Sequence, residues 1–285
     1  MTLYVNRFVW LVVLLLSCPF FAFQAHGAEI AKAGKYSEEE IARFGRIIKQ
    51  YLPYPTPQSV HSSPRTLWAK KFDELQPWND HQIIQKKIRN LSDSADVIQY
   101  TWQNPDGKSP HNKPTVNDEL SYQGKGDKHT EYDTIEAHLG VFLGGGYGTT
   151  GEKHGSKLGQ YFRGCFNPNE HTAADNLKFL RQIIDNNITF WKMATDRSIF
   201  SNLHPDFRGL SWPGHEYVLG TKKQHKNIIA NLPAGTWTVK RYDIIKKKSD
   251  IVSKTAHGNP MDSLRSFRFE SPDSRAVLFH FKKNN

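Results

Sequence analysis

The hydrophobic pattern changes its period once along this 285-residue chain, near Met193, and that change limits the fold to two unlike parts. Before it, apolar residues recur at helical spacing between short apolar runs. Tyr36 to Gln50 places Ile41, Phe44, Ile47 and Ile48 on one face, and Ser37 followed by Glu40 is a capping-box start. Thr172 to Ile184 repeats the pattern with Leu177, Leu180, Ile183 and Ile184, with Asp175 near its start. Strand-like segments are read at 58–61, 82–85, 114–118 and 139–143. Beyond Met193, short alternating runs at Glu216–Gly220, Thr236–Ile244, Arg265–Phe269 and Ala276–Phe281 are separated by Gly, Pro and Asp turns. Alternation with such punctuation predicts an antiparallel β-domain.

A strand–loop–helix half with four strand-like segments is short for a complete eight-unit barrel, which usually needs about 250 residues. The expected fold class is therefore α/β: a partial (half) TIM-type (β/α) barrel over residues 28–195, then a small antiparallel β-sandwich over 196–285. Residues 1–27 read as a cleaved signal peptide. Arg7 supplies the charge, Phe8 to Phe23 the apolar run, and Ala25-His26-Gly27 small residues at the cleavage positions. No later apolar run is long enough to span a bilayer, so the expectation is a secreted or periplasmic protein with no membrane span after cleavage. Only Cys165 lies beyond the signal, so no intrachain disulfide is expected and core burial must hold the fold.

The formal charge of +10 is scattered, and its one dense run, Lys246-Lys247-Lys248, follows an apolar stretch as a solvated turn would. Scattered charge on an exported chain argues against nucleic acid as a partner and is compatible with an acidic polysaccharide. The 13 histidines show no His-x-x-x-His spacing with a helical Glu, and Cys165 stands alone, so no metal and no cofactor is expected.

Chemistry concentrates in Lys113 to Tyr122. A short apolar strand, Thr115-Val116, runs into the carboxylates Asp118 and Glu119, with Tyr122 three residues on. In (β/α) barrels, reactive groups stand where strands end at the C-terminal face. A carboxylate there with a nearby aromatic suits sugar-bond cleavage. Strand alternation sends one of Asp118 and Glu119 into the mouth and the other away.

The match of several segments, in order, extends this reading. They are Val60-His61, Trp78-Asn79-Asp80 with Ile84-Gln85, Lys113-Pro114 through Asp118-Glu119 to Tyr122, Gly144–Gly148, and Leu232-Pro233-Ala234-Gly235-Thr236-Trp237 with Tyr242-Asp243. Over about Arg43 to the end, the chain resembles the apiosidase-like glycoside hydrolases, (β/α)8 barrels carrying a C-terminal β-domain named for collagen binding. The resemblance implies that Glu119 is the catalytic nucleophile of a retaining mechanism. It implies that His61 and Asp80 lie at other strand ends facing the sugar, and that Tyr122, His138 and Tyr147 line the same mouth. The glycine loop Gly144–Gly148, with no Lys-Ser/Thr after it, then belongs to a sugar cleft rather than a phosphate site.

One departure accompanies the match: the family's first barrel half, with its acid/base carboxylate, has no counterpart here. Retaining hydrolysis needs two carboxyl groups about 5 Å apart. The second group is expected from Asp80, Asp118 or another local acid, or from a separate chain supplying the missing barrel half. The partner is an oligo- or polysaccharide. The rival expectation is a non-catalytic protein that only binds glycan or another exported polymer.

Overall fold

The computed structural model describes residues 37–52, 57–59, 77–103, 113–123, 129–152, 171–256 and 264–284. The signal segment lies outside them, as do His61 and residue 60 of the strand expected at 58–61, and the described part of that segment, residues 58–59, is not a strand.

Helix α1, Glu38–Tyr51, begins with the predicted capping box: Ser37 Oγ accepts from the Glu40 amide and the Glu40 carboxylate accepts from the Ser37 amide. Strand β1 (Gln82–Ile84), helix α2 (Leu91–Gln103), strand β2 (Thr115–Gln123), helix α3 (Glu131–Leu143) and strand β3 (Tyr147–Glu152) follow. The three strands pair in parallel in the order β1-β2-β3, so the intervening helices are crossovers. Helix α4, Ala174–Asn187, and a 3-10 turn at Phe190–Lys192 lead out of this layer.

Residues 139–143, expected as a strand, are the last turns of α3. Thr130 and Asp133 form a second capping box that starts the helix. Ile135, Leu139, Phe142 and Leu143 then fall on one buried face, so the helical period governs a segment whose short apolar run alone reads as either element. The glycine loop that follows therefore leads into β3 and does not leave a strand. Gly145 there takes a left-handed φ of 82°.

The chain then forms two antiparallel sheets. Strands β4 (Ala194–Thr195), β6 (Arg208–Trp212), β7 (Glu216–Thr221), β9 (Thr236–Asp243), β10 (Lys248–Ala256) and β12 (Val277–Lys283) pair in the order β10-β9-β12-β7-β6-β4. Strands β5 (Phe200–Ser201), β8 (His225–Pro233) and β11 (Leu264–Ser271) pair as β11-β8-β5. One core lies between the sheets: Tyr217, Leu219, Trp237, Val239 and Phe279 of the first meet Ile228, Ala230, Leu232 and Phe269 of the second.

The larger sheet is covered on its other face too. Leu210, Val218, Tyr242 and Leu278 share a core with Ile135, Leu139 and Leu143 of α3 and with Leu180 and Ile183 of α4. Alternate residues of β7 thus face two different cores, and all six are buried. Polar ties reinforce this junction. Arg208 forms a two-pronged pair with Asp96 at 2.7 Å on each arm, and Arg275 reaches Glu136 at 2.5 Å. Burial raises the Glu136 carboxyl above its ordinary range, with Arg275 opposing that shift. Buried Glu216 accepts from His280 Nε2 at 2.6 Å and from the Thr189 amide at 3.2 Å, fastening the segment after α4 to the sheet.

Candidate functional site

Strand β2 outruns β1. Pairing runs from Gln82↔Thr115 to Ile84↔Asn117, after which β1 ends. Asn117 continues the contact with its side chain, accepting from the Lys86 amide at 3.1 Å and donating to the Lys86 carbonyl at 2.8 Å. On the other side, pairing with β3 slips between Asn117↔Gly148 and Ser121↔Thr150, so Asp118, Glu119 and Leu120 stand opposite Thr149 alone. Such irregularities re-aim side chains and recur beside active sites. Thr149 Oγ1 donates to the Asp118 carbonyl at 2.6 Å, satisfying backbone that the slip leaves out of the ladder.

Leu120 is fully buried among Ile84, Ile98, Ala137 and Val141, on the helix-covered face. By the two-residue period of a strand, Glu119 turns to the opposite face. There Gln85, 8% exposed and just past the end of β1, donates from Nε2 to Glu119 Oε1 at 3.1 Å. The site is thus a half-buried carboxylate past the C-terminal end of β1, oriented by an amide.

The other expected site residues are placed differently. Asp80 precedes β1 and so lies at the strand's N-terminal side, away from Glu119; its Oδ2 accepts from Lys49 Nζ at 2.5 Å and from the Gln58 amide at 2.7 Å. It ties α1 to the sheet, and the placement expected for it at a strand's C-terminal end is corrected. Tyr147 is the first residue of β3 and pairs with Val116, three residues before Glu119 and so about 10 Å along the strand. Its ring meets Phe190 edge-on at 5.7 Å, whereas Glu119 stands mid-strand in β2. His138 belongs to α3, in the helical layer, with Nδ1 on the Thr134 carbonyl at 2.8 Å. Burial, with a smaller contribution from neighbouring His171, pushes its imidazole down to about 4, so the ring is neutral at physiological pH. Tyr122 lies in β2, and its side chain is outside the described residues, as is His61.

Beyond Glu119, β2 is locked at its end by buried hydrogen bonds. Ser121 Oγ meets His129 Nδ1 at 2.7 Å and Thr134 Oγ1 at 3.0 Å, and Gln123 bridges Thr172 Oγ1 and the Ala173 amide. These bonds anchor the strand to the starts of α3 and α4. No group of three or more metal-ligating side chains occurs among the described residues. Among them, too, no helix is long and apolar enough to cross a membrane.

No protein-family profile matches the chain, and no curated protein matches it. Solved structures do. A glycoside hydrolase superposes with a TM-score of 0.63 at 12% identity over 86% of this chain and 61% of its own length. A glycoside hydrolase family 5 protein from Bacteroides vulgatus ATCC 8482 gives 0.63 at 11% identity over 89% of this chain and 68% of its own. At such identity the likeness establishes the fold: the chain is an α/β protein built like these glycoside hydrolases. It spans about three fifths of the first one's length.

Proposed function

We propose that the chain is an exported carbohydrate-active protein of glycoside hydrolase type, a partial (β/α) barrel followed by a β-sandwich, with Glu119 as the nucleophile of retaining hydrolysis. The observation that carries this reading is the Glu119 carboxylate, set at a strand irregularity and held by Gln85. The likeness in fold to glycoside hydrolases supports it. In this account Gln85 fixes Oε1 by donating to it from Nε2. Oε2 is left to attack the anomeric carbon of an oligo- or polysaccharide. The bond from that carbon to the leaving oxygen breaks as the ester to Glu119 forms, and water later releases the sugar. The proton for the leaving oxygen comes from Asp118 or another local acid, or from a second chain completing the barrel. His61 and Tyr122 are assigned to the sugar beside Glu119.

An activated aryl leaving group departs without protonation, so the first step is testable on the purified chain. Rapid mixing with dinitrophenyl glycosides is expected to release a burst of dinitrophenol. Glu119→Gln abolishes the burst, and Gln85→Ala slows it. Absence of a burst with any sugar, alongside measurable glycan binding, establishes the non-catalytic binding protein instead.

A further inference from the structure

A second recess lies away from Glu119, where α4 crosses the larger β-sheet near its free edge. It is an open recess of about 430 Å³. One wall is a single face of α4: Phe179, Gln182, Ile183, Asn186 and Asn187 follow the i, i+3, i+4, i+7, i+8 spacing. The other wall is Lys240 and Tyr242 of β9 with Ser249 and Ile251 of β10. Because residues of one strand alternate, Lys240 and Tyr242 are presented to the same side.

The lining has two chemical parts. Phe179 and the 56% exposed Ile251 give its accessible apolar surface, with the core residues Ile183 and Tyr242, 3% and 4% exposed, beneath them. Around it stand the amides of Gln182, Asn186 and Asn187, each with a donor and an acceptor, and the donor groups of Lys240 and Ser249. The carboxylate at the rim, Asp250, is held by Arg241 at 2.9 Å, so it offers little free negative charge. A sugar presents the complementary mixture, with C–H faces for the apolar surface and paired hydroxyls for the amides. A peptide strand would instead need a regular edge. The edge of β10 is interrupted by the register shift between Ile251 and Ser253, the kind of feature that blocks strand addition.

We propose that this cleft between α4 and β9–β10 is a non-catalytic binding site for a neutral oligosaccharide, separate from the Glu119 site. It would hold a glycan on the protein whether or not Glu119 is reactive.

The test uses the full chain with xylohexaose, cellohexaose and α-linked arabinohexaose as probes, measured by calorimetric titration. Wild type, Glu119→Gln and the double variant Gln182→Ala/Asn186→Ala are compared; both replaced amides are on exposed residues, so folding is preserved and is checked by melting. At least one probe is expected to bind wild type and Glu119→Gln equally and the double variant about tenfold more weakly, as loss of two hydrogen bonds implies. Binding unchanged in the double variant, or no binding of any probe, overturns the proposal. Binding lost only in Glu119→Gln also overturns it and supports the Glu119 site instead, which keeps the two readings separable.

Discussion

Gly140 gives a prediction in which two opposing effects are compared. It lies in the last turns of α3, where Gly→Ala in an open helix stabilises by at most about 1 kcal/mol. Here an added Cβ would sit 2.8 Å from Ser94 Cβ and 2.9 Å from the Leu91 carbonyl carbon, and closer still to the Leu91 oxygen. These atoms belong to the first turn of α2, and two of the three are backbone, so no rotamer change relieves the clash. The helices must separate, and a gap of 0.5–1 Å costs about a quarter to a half of each dispersion contact across it. Overpacking against rigid neighbours costs about 3 kcal/mol at the upper end of its range. Setting the helix gain against it leaves Gly140→Ala less stable by about 2 kcal/mol. For a chain of this size that lowers the Tm by about 4–8 °C. Thermal and urea unfolding followed by circular dichroism measure it. A Gly140→Ala variant more stable than wild type would refute the claim that α2 and α3 are in backbone contact.

Other expectations follow from the junction of the two parts. Glu216→Ala strands His280 and the Thr189 amide in a buried site and should cost about 3–5 kcal/mol in urea unfolding. Burial favours a raised Glu216 carboxyl, but hydrogen bonds from His280 and Thr189 outweigh it and hold it below the ordinary 4.5. Its contribution is therefore complete above pH 4.5 and is lost as pH falls through the lower folded value, a loss that should be missing from the Glu216→Ala pH–stability curve. His138 has a folded value of about 4 against 6.5, so the unfolded chain binds more protons between them; its NMR signals should stay still from pH 8 to 6, and stability should fall with pH only below about 6.5. The Arg208–Asp96 pair, with the Asp96 side chain 51% exposed, should contribute only about 0.2–1 kcal/mol in a double-mutant cycle.

Much of the architecture is readable in the residues because its signals are local. Ser37 and Glu40 announce α1 three residues apart, and the alternation in 216–220, 236–244 and 276–281 maps onto β7, β9 and β12. Strand β8 carries His225, Lys226 and Asn227 on partly or fully exposed positions, which dilutes its alternation. At a sheet edge, strand β10 buries none of residues 248–253, so its pattern is faint as well. The carboxylates 118 and 119 stand out in the sequence, but the choice between them does not. It depends on Leu120 packing under α2 and α3 and on a register slip set by β3, both long-range facts. Gln85 carries no motif of its own; only the position of β1 beside β2 reveals that it holds Glu119. Asp80 and Tyr147 mislead for the converse reason. Asp80 lies two residues before β1 and Tyr147 opens β3, and neither position shows in the sequence as the start of a strand rather than its end.

The identity of the nucleophile is open to direct measurement. The purified chain is incubated with a dinitrophenyl glycoside carrying fluorine beside the anomeric carbon, which slows release of the trapped sugar, then digested and mapped by mass spectrometry. The account predicts one fluorosugar on the peptide containing Glu119, esterified to that residue, and none in Glu119→Gln. A sugar attached to any other residue, or labelling that persists in Glu119→Gln, would contradict it.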